Sequence, residues 1–375
     1  MKGIYLVSIC IGLSLSKLAL ADTKEKDACC GVKISGYVDA SYNYLESSNQ
    51  FISGVNDRAF DLEEDGFTLQ QMALNLAYQP DQGLGGLVNV IFGRDALSTA
   101  SFGYNPDIGI HNIGFDIVQA YLQYGVRSFT ILTGKFLTLA GEEVIDSTAN
   151  SNFSHSLLFT FAEPFTHTGL RVTYTVNEKL KFIAGVNDGW DNIRDTGRGK
   201  TIELAVSYNP CSMFSFSAQG YSGEERTVSR TAIGPTGTRN LIDLIAIYNA
   251  NDKLAFSANY DYGTQSNAIL DNGAVGDAVW QGIAAYLNYK FNDTWRISIR
   301  GEDFEDRNGY RTGFAQTIKE LTFTVGFTPI KNLEFRAETR RDFSNVFSYA
   351  DIDTLTPRKV QQSFGLEGIY KFSNS

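Results

Sequence analysis

Eight times along this chain of 375 residues, a run of alternating apolar and polar residues ends in an aromatic followed by a short polar segment. The aromatics are Tyr78, Tyr124, Tyr174, Tyr208, Tyr248, Tyr289, Phe327 and Tyr370. Within the runs the alternation has period two. In 200–208, Ile202, Leu204, Val206 and Tyr208 share one face while Thr201, Glu203, Ala205 and Ser207 share the other. In 319–327, Leu321, Phe323, Val325 and Phe327 oppose Glu320, Thr322, Thr324 and Gly326. An amphipathic helix would space its apolar residues three and four apart, so these runs read as strands. Each repeat holds a tight turn, a rising strand, a longer loop and a falling strand. Rising strands are expected at 32–44, 84–93, 129–138, 180–188, 213–222, 253–263, 294–304 and 332–341. Falling strands are expected at 67–79, 115–126, 165–175, 200–208, 238–250, 278–290, 319–327 and 361–372. That is a meander of about sixteen strands. A soluble propeller shares the repeat length but would pack four short strands into each unit.

The aromatics mark one end of the falling strands, where a membrane interface would hold a buried ring and a wet hydroxyl. Most strands have the roughly 9–11 residues that a tilted strand needs to cross a bilayer. Lipid cannot hydrogen-bond an open sheet edge, so spanning strands must close on themselves. The expected fold is all-β: a transmembrane antiparallel up-and-down β-barrel. Its short turns would face the periplasm and its long loops the exterior.

The first 21 residues carry an early lysine, an apolar run and a closing Ala19-Leu20-Ala21, the pattern of a cleaved secretory signal. A short periplasmic segment is then expected at 22–31 and the barrel over 32–375, in the cell outer membrane. Without Lys2 and Lys17, 30 basic residues face 42 acidic ones, a formal charge of −12. Such a chain is a poor partner for nucleic acid. Three cysteines survive cleavage, Cys29, Cys30 and Cys211. They do not form a metal-ligand pattern, and no cofactor or metal site is expected. The final strand places Phe364, Leu366, Tyr370 and Phe372 on the lipid face. It resembles the terminal signal read by the barrel-assembly machinery, although Ser373, Asn374 and Ser375 follow Phe372.

Eight long loops fall at 45–66, 94–114, 139–164, 189–199, 223–237, 264–277, 305–318 and 342–360. The third contains "LLFTF", a run that gains nothing on a surface. An inward fold that narrows the channel is favoured over an additional strand. A lumen needs charge to sort solutes. Inward positions supply Lys135, His167, Arg171, Arg296, Arg300, Arg336 and Arg340, and the third loop adds Glu142, Glu143 and Asp146. Loop acids set opposite the arginines would make a transverse field. The competing reading is that pairs such as Glu334 or Glu338 with Arg336 or Arg340 neutralise the wall.

Several stretches carry a more specific resemblance: "ISGYVDASYNY" at 34–44, "VQAYLQY" at 118–124, "LTGKF" at 132–136 and "GEEVI" at 141–145. So do "FSHSLLF" at 153–159, "PFTHTGLRV" at 164–172 and "GVNDGWD" at 185–191. Together they are similar to the OmpL-like β-barrel porin family. The turn 187–191 departs slightly from that family's usual Asn-Gly-Trp-Asp. The resemblance implies a Gram-negative outer-membrane porin, a water-filled channel for passive diffusion of small hydrophilic solutes or ions. Expected partners are those solutes and outer-membrane lipid and lipopolysaccharide. A homotrimer is expected only by analogy with other sixteen-stranded porins. The main alternative is a surface barrel whose loops act as an adhesin or bind a ligand. Enzymatic activity is not expected. His155 and its neighbours Ser154 and Ser156 would point to opposite faces of an extended chain, no Gly-x-Ser-x-Gly elbow exists, and His111 has no evident partner.

Overall fold

The computed structural model describes residues 31–48, 58, 60–61, 65–101, 114–194, 199–228, 233–351 and 353–374. The expected secretory signal at 1–21, Cys29, Cys30 and His111 lie outside the described residues. Sixteen strands form one closed antiparallel barrel. They are β1 (Lys33–Leu45), β2 (Asp65–Tyr78), β3 (Gly83–Phe92), β4 (Phe115–Val126), β5 (Phe129–Leu137), β6 (Thr166–Asn177), β7 (Leu180–Asn187) and β8 (Thr201–Cys211). There follow β9 (Phe214–Val228), β10 (Ile233–Asn249), β11 (Leu254–Ile269), β12 (Val275–Lys290), β13 (Trp295–Asp306), β14 (Gln316–Ile330), β15 (Leu333–Ser344) and β16 (Val360–Ser373). Each strand pairs with its chain neighbours, and β1 closes on β16 with Asp39 opposite Ile369. A short helix, α1 (Ala96–Thr99), packs against β4. Residues 47–48, 349–351 and 357–358 form a separate small sheet joining the first and last loops.

The turns at one end are short because the sequence caps them. Asn177, Asn251 and Asn292 each accept hydrogen bonds through the side-chain oxygen from the backbone N–H groups two and three residues on, at 2.8–3.0 Å. This Asx geometry reverses the chain locally. The aromatic belt at this end is reinforced by rings from the preceding rising strand, paired alongside. Phe129 meets Tyr174 at 4.9 Å, Phe214 stacks on Tyr248 at 4.7 Å and Trp295 meets Phe327 at 4.5 Å.

Strand positions follow the alternation, but several tops extend further than expected. β9, β10, β11 and β14 reach Val228, Ile233, Ile269 and Gln316, where ends near 222, 238, 263 and 319 were expected. Above the lipid a strand no longer needs an apolar face. Polar stretches such as "GTQSNAI" at 263–269 therefore continue the pairing without displaying the alternation. The barrel is thus tall along β9–β12 and shorter along β5–β7. Outward residues such as Leu122, Leu204 and Leu321 are exposed, as a lipid-facing surface requires.

The third loop occupies 138–165 and folds inward. "LLFTF" does not add a strand. It forms a π-helical turn at Leu158–Ala162, with Leu158, Phe159, Phe161 and Ala162 all buried. Leu157, Leu158, Phe161 and Ala162 pack with Trp190, Leu241, Trp280 and Phe304. Ile145 and Phe159 pack on the other side with Tyr37, Ile91 and Val118.

Candidate functional site

The third loop leaves and rejoins the wall at one place. Thr138 donates its N–H to the Phe165 carbonyl at 3.1 Å, closing the neck. From there the chain runs along the inner wall. The Tyr221 hydroxyl on β9 accepts the Leu139 N–H at 3.0 Å, Asp243 on β10 accepts that of Gly141 at 3.4 Å, and Asn259 on β11 accepts that of Glu142 at 2.8 Å. At Ile145 the loop has reached the far side, where Gln71 on β2 donates to its carbonyl at 2.9 Å. β10 and β2 lie on opposite sides of the sixteen-strand ring, so the loop spans the lumen.

The return path is held by arginines. Arg336 donates to the carbonyls of Ser147 and Asn152 at 3.1 and 3.2 Å, and Arg296 to that of Ser151 at 2.7 Å. Arg300 donates to the Ser154 carbonyl at 2.6 Å, and Arg340 to the His155 carbonyl at 2.5 Å. Acids hold the amides in turn. Glu338 accepts the N–H groups of Phe153 and Ser154 at 2.7 and 2.9 Å. Glu302 accepts those of Leu157 and Leu158 at 2.9 and 3.3 Å. An irregular loop buried in a lumen cannot satisfy its backbone groups by itself, and the wall's charged side chains do it instead. The arginines also pair among the wall acids: Arg336 with Glu334 and Glu367, Arg340 with Asp342, Arg300 with Glu320. Cross-strand pairs neutralise the wall, and the remaining guanidinium hydrogens grip the loop.

The acids of the loop differ from one another. Glu143 bonds Arg300 at 2.7 Å and lies 3.3 Å from His155 Nδ1. Burial works against its ionisation, but the Arg300 charge and the His155 contact prevail and hold it at about 2. Glu142 is equally buried without such a partner, and burial pushes it up to about 8. Asp146 is half-buried, as are Thr148, Asn150 and Ser151. This small polar arm stays partly exposed, whereas Glu142 and Glu143 are buried. Its carbonyl ties to Arg296 and Arg336 place it near the short-turn end of β13 and β15.

Other residues singled out in the sequence are braces. Lys135 is buried and donates to Asp116 at 3.2 Å and to the Ile117 carbonyl at 2.6 Å. Arg171 makes a two-pronged pair with Glu203 at 2.6 and 2.7 Å and lies over the Phe136 ring. His167 is buried, its Nδ1 3.0 Å from the Gly189 carbonyl and its ring stacked on Tyr221. His155 lies between Phe60 and Phe159, which seats the first loop on the third.

Some fixings were missed in the sequence. Asp191 accepts the N–H groups of Phe165 and Thr166 through one oxygen at 2.9 and 2.8 Å. Trp280 donates its indole N–H to the Ala162 carbonyl at 3.0 Å, and Arg311 donates to that of Phe161. Asp243 could have been found: it is a lone acid in "LIDLIAI", on the same face as Leu241 and Ile245.

Residues 31–372 match the family model described as "Putative beta-barrel porin-2, OmpL-like". No curated protein sequence matches the chain. Among solved structures it is similar to the outer membrane channel DcaP of Acinetobacter baumannii, with 16% identity, 92% of this chain and 99% of that one covered, and a TM-score of 0.60. The anion-selective porin from Comamonas acidovorans gives 12% identity, 91% and 99% coverage and a TM-score of 0.60. OmpT of Vibrio cholerae, in its trimer form, gives 13% identity, 91% and 99% coverage and a TM-score of 0.59.

Proposed function

The chain belongs to the OmpL-like β-barrel porin family of the outer membrane, and from that premise we propose a narrow channel for passive diffusion of small hydrophilic solutes or ions. The observation that carries this reading is the third loop, tied to β10 on one side of the lumen and to β2 on the other. A loop so held divides the lumen and leaves a passage bordered by 146–151. Lys181, Arg296 and Glu334 are partly exposed inward residues near the short-turn end, and Asp146 is the loop's partly exposed acid. In this reading Glu142, Glu143, Lys135, His167, Arg171, Arg300, Arg336 and Arg340 frame the constriction, and Asp146 tunes it.

Residues 1–21 serve as the export signal, and the β16 strand ending near Phe372 is the segment offered to the barrel-assembly machinery. A homotrimer is the proposed assembly, supported by the trimer form of OmpT.

Planar-bilayer conductance tests the reading. The expected result is small single-channel steps, with the anion-to-cation permeability ratio, read from the reversal potential in a salt gradient, rising several-fold in Asp146→Lys. A barrel that inserts and stays sealed would overturn the channel and turn attention to ligand binding by the outer loops.

A further inference from the structure

Glu163 ends the third loop just before β6, and Asp243 and Asp261 are opposite one another on β10 and β11. One oxygen from each of the three carboxylates lies within 4.8 Å of the others. Glu163 is 2% exposed and both aspartates 0%. Asp243 accepts hydrogen bonds from Gly141 N–H at 3.4 Å, Asn259 at 2.5 Å and Gln219. Asp261 has Asn259 at 3.5 Å on one oxygen and no partner on the other. Neither oxygen of Glu163 has a hydrogen-bond partner. Among the described residues, no lysine or arginine pairs with any of the three. Gly141 leaves room for the Glu163 carboxylate, since a Cβ there would sit 2.4 Å from Oε2.

Three carboxylates taken out of water without a cation are costly and must be compensated. We propose that Glu163, Asp243 and Asp261 bind a hard divalent cation, Ca²⁺ in preference to Mg²⁺, and so pin the return of the third loop to β10 and β11. The donor set is all oxygen, with no imidazole or thiolate in the cluster, which suits hard cations over zinc or copper. Ligands from three separate segments give an irregular geometry. Ca²⁺ tolerates that with six to eight oxygens, whereas Mg²⁺ demands a near-ideal octahedron. The competing arrangement is a triad held together by shared protons, in keeping with burial and the neighbouring Asp243, Glu143 and Glu302 charges that push the Glu163 carboxyl well up.

Terbium luminescence distinguishes the two. Trp280 bonds the carbonyl of Ala162, the residue before Glu163, so its excitation should sensitise Tb³⁺ bound at the cluster. The full-length refolded barrel, stripped with EDTA, is expected to give a saturable signal that Ca²⁺ displaces, and Ca²⁺ should raise its melting temperature by several degrees. Glu163→Gln and Asp261→Asn should each weaken both responses at least tenfold while keeping the β-sheet spectrum. Two results overturn the proposal. One is a Ca²⁺-displaceable signal of equal strength in wild type and both variants, which puts the ion elsewhere. The other is no cation response in wild type, with either variant melting higher, which means that the acids are held by protons. None of these readouts depends on conductance.

Discussion

On β13 and β15 the inward residues Arg296, Arg300, Arg336 and Arg340 each hold a carbonyl of the third loop. On β5, β6 and β7 the inward residues towards the short-turn end are Thr130, Leu132, Thr173, Thr175 and Lys181, and all stay partly exposed. Both sides obey the same alternation. What differs is the company of each inward side chain: a backbone that cannot satisfy itself, or open lumen. A charge on the inner face of a barrel is therefore not by itself a pore charge. The four arginines are engaged by the loop backbone, while the small polar residues of β5–β7 are left partly exposed.

The sharpest way to break this comparison is to remove one arginine. Arg300 pairs with Glu143 and Glu320 and holds the Ser154 carbonyl. Arg300→Ala leaves Glu143 and Glu320 buried without their guanidinium, for an expected cost of about 3–5 kcal/mol. Thr173→Ala on the opposite side should stay within about 0.5 kcal/mol. Melting of the refolded barrels measures both, and equal costs would erase the distinction. A smaller effect is expected at Asp191, which caps two loop N–H groups. Both groups are part-buried, so Asp191→Ala is expected to cost about 1–3 kcal/mol in all, seen as faster hydrogen exchange at Phe165 and Thr166 and as protease cuts within 138–165.

The most gradual effect is a pH dependence. Glu142 keeps its proton up to about 8 in the closed loop, and an opened loop would release it near its ordinary value of 4.5. Between these values the closed form binds the extra proton, so loop attachment weakens as pH rises through this window. Glu143, held at about 2, acts in the opposite sense lower down. Its contribution is full above the ordinary 4.5 and is lost as pH falls through 2. Glu142→Gln should flatten the upper slope and leave the lower one, as read from thermal melts in EDTA.

The wall was legible because lipid imposes a local rule. Leu321, Phe323 and Val325 must face out whatever else the chain does, and the rule repeats every two residues. The aromatic ends of the falling strands were legible for the same reason. The upper reaches of β9 to β11 were not, since above the lipid the rule lapses while pairing continues. The inward fold of the third loop could be read from the awkwardness of "LLFTF", but its fixings could not. Arg296 reaches Ser151 across 145 residues and Arg340 reaches His155 across 185, distances that no local pattern reports. The stretches "GEEVI", "FSHSLLF", "PFTHTGL" and "NDGWD" carried the family resemblance, and they share a physical task. Each holds the third loop shut: Glu143 to Arg300, Ser154 to Glu338, Thr166 to Asp191.

The partners of the third loop also set an order of assembly. The loop ends at residue 165, while most of its ties come from residues 221 to 340. During synthesis and export the loop is made first and its seat afterwards. Until β9–β14 arrive, Leu157, Leu158 and Phe161 have little to cover them, since Tyr221, Leu241, Trp280, Phe304 and Ile318 come later in the chain. A chain cut short before β13 would present this apolar knot to periplasmic water. The run that completes the finished barrel would then mark an unfinished one for holding chaperones and proteases.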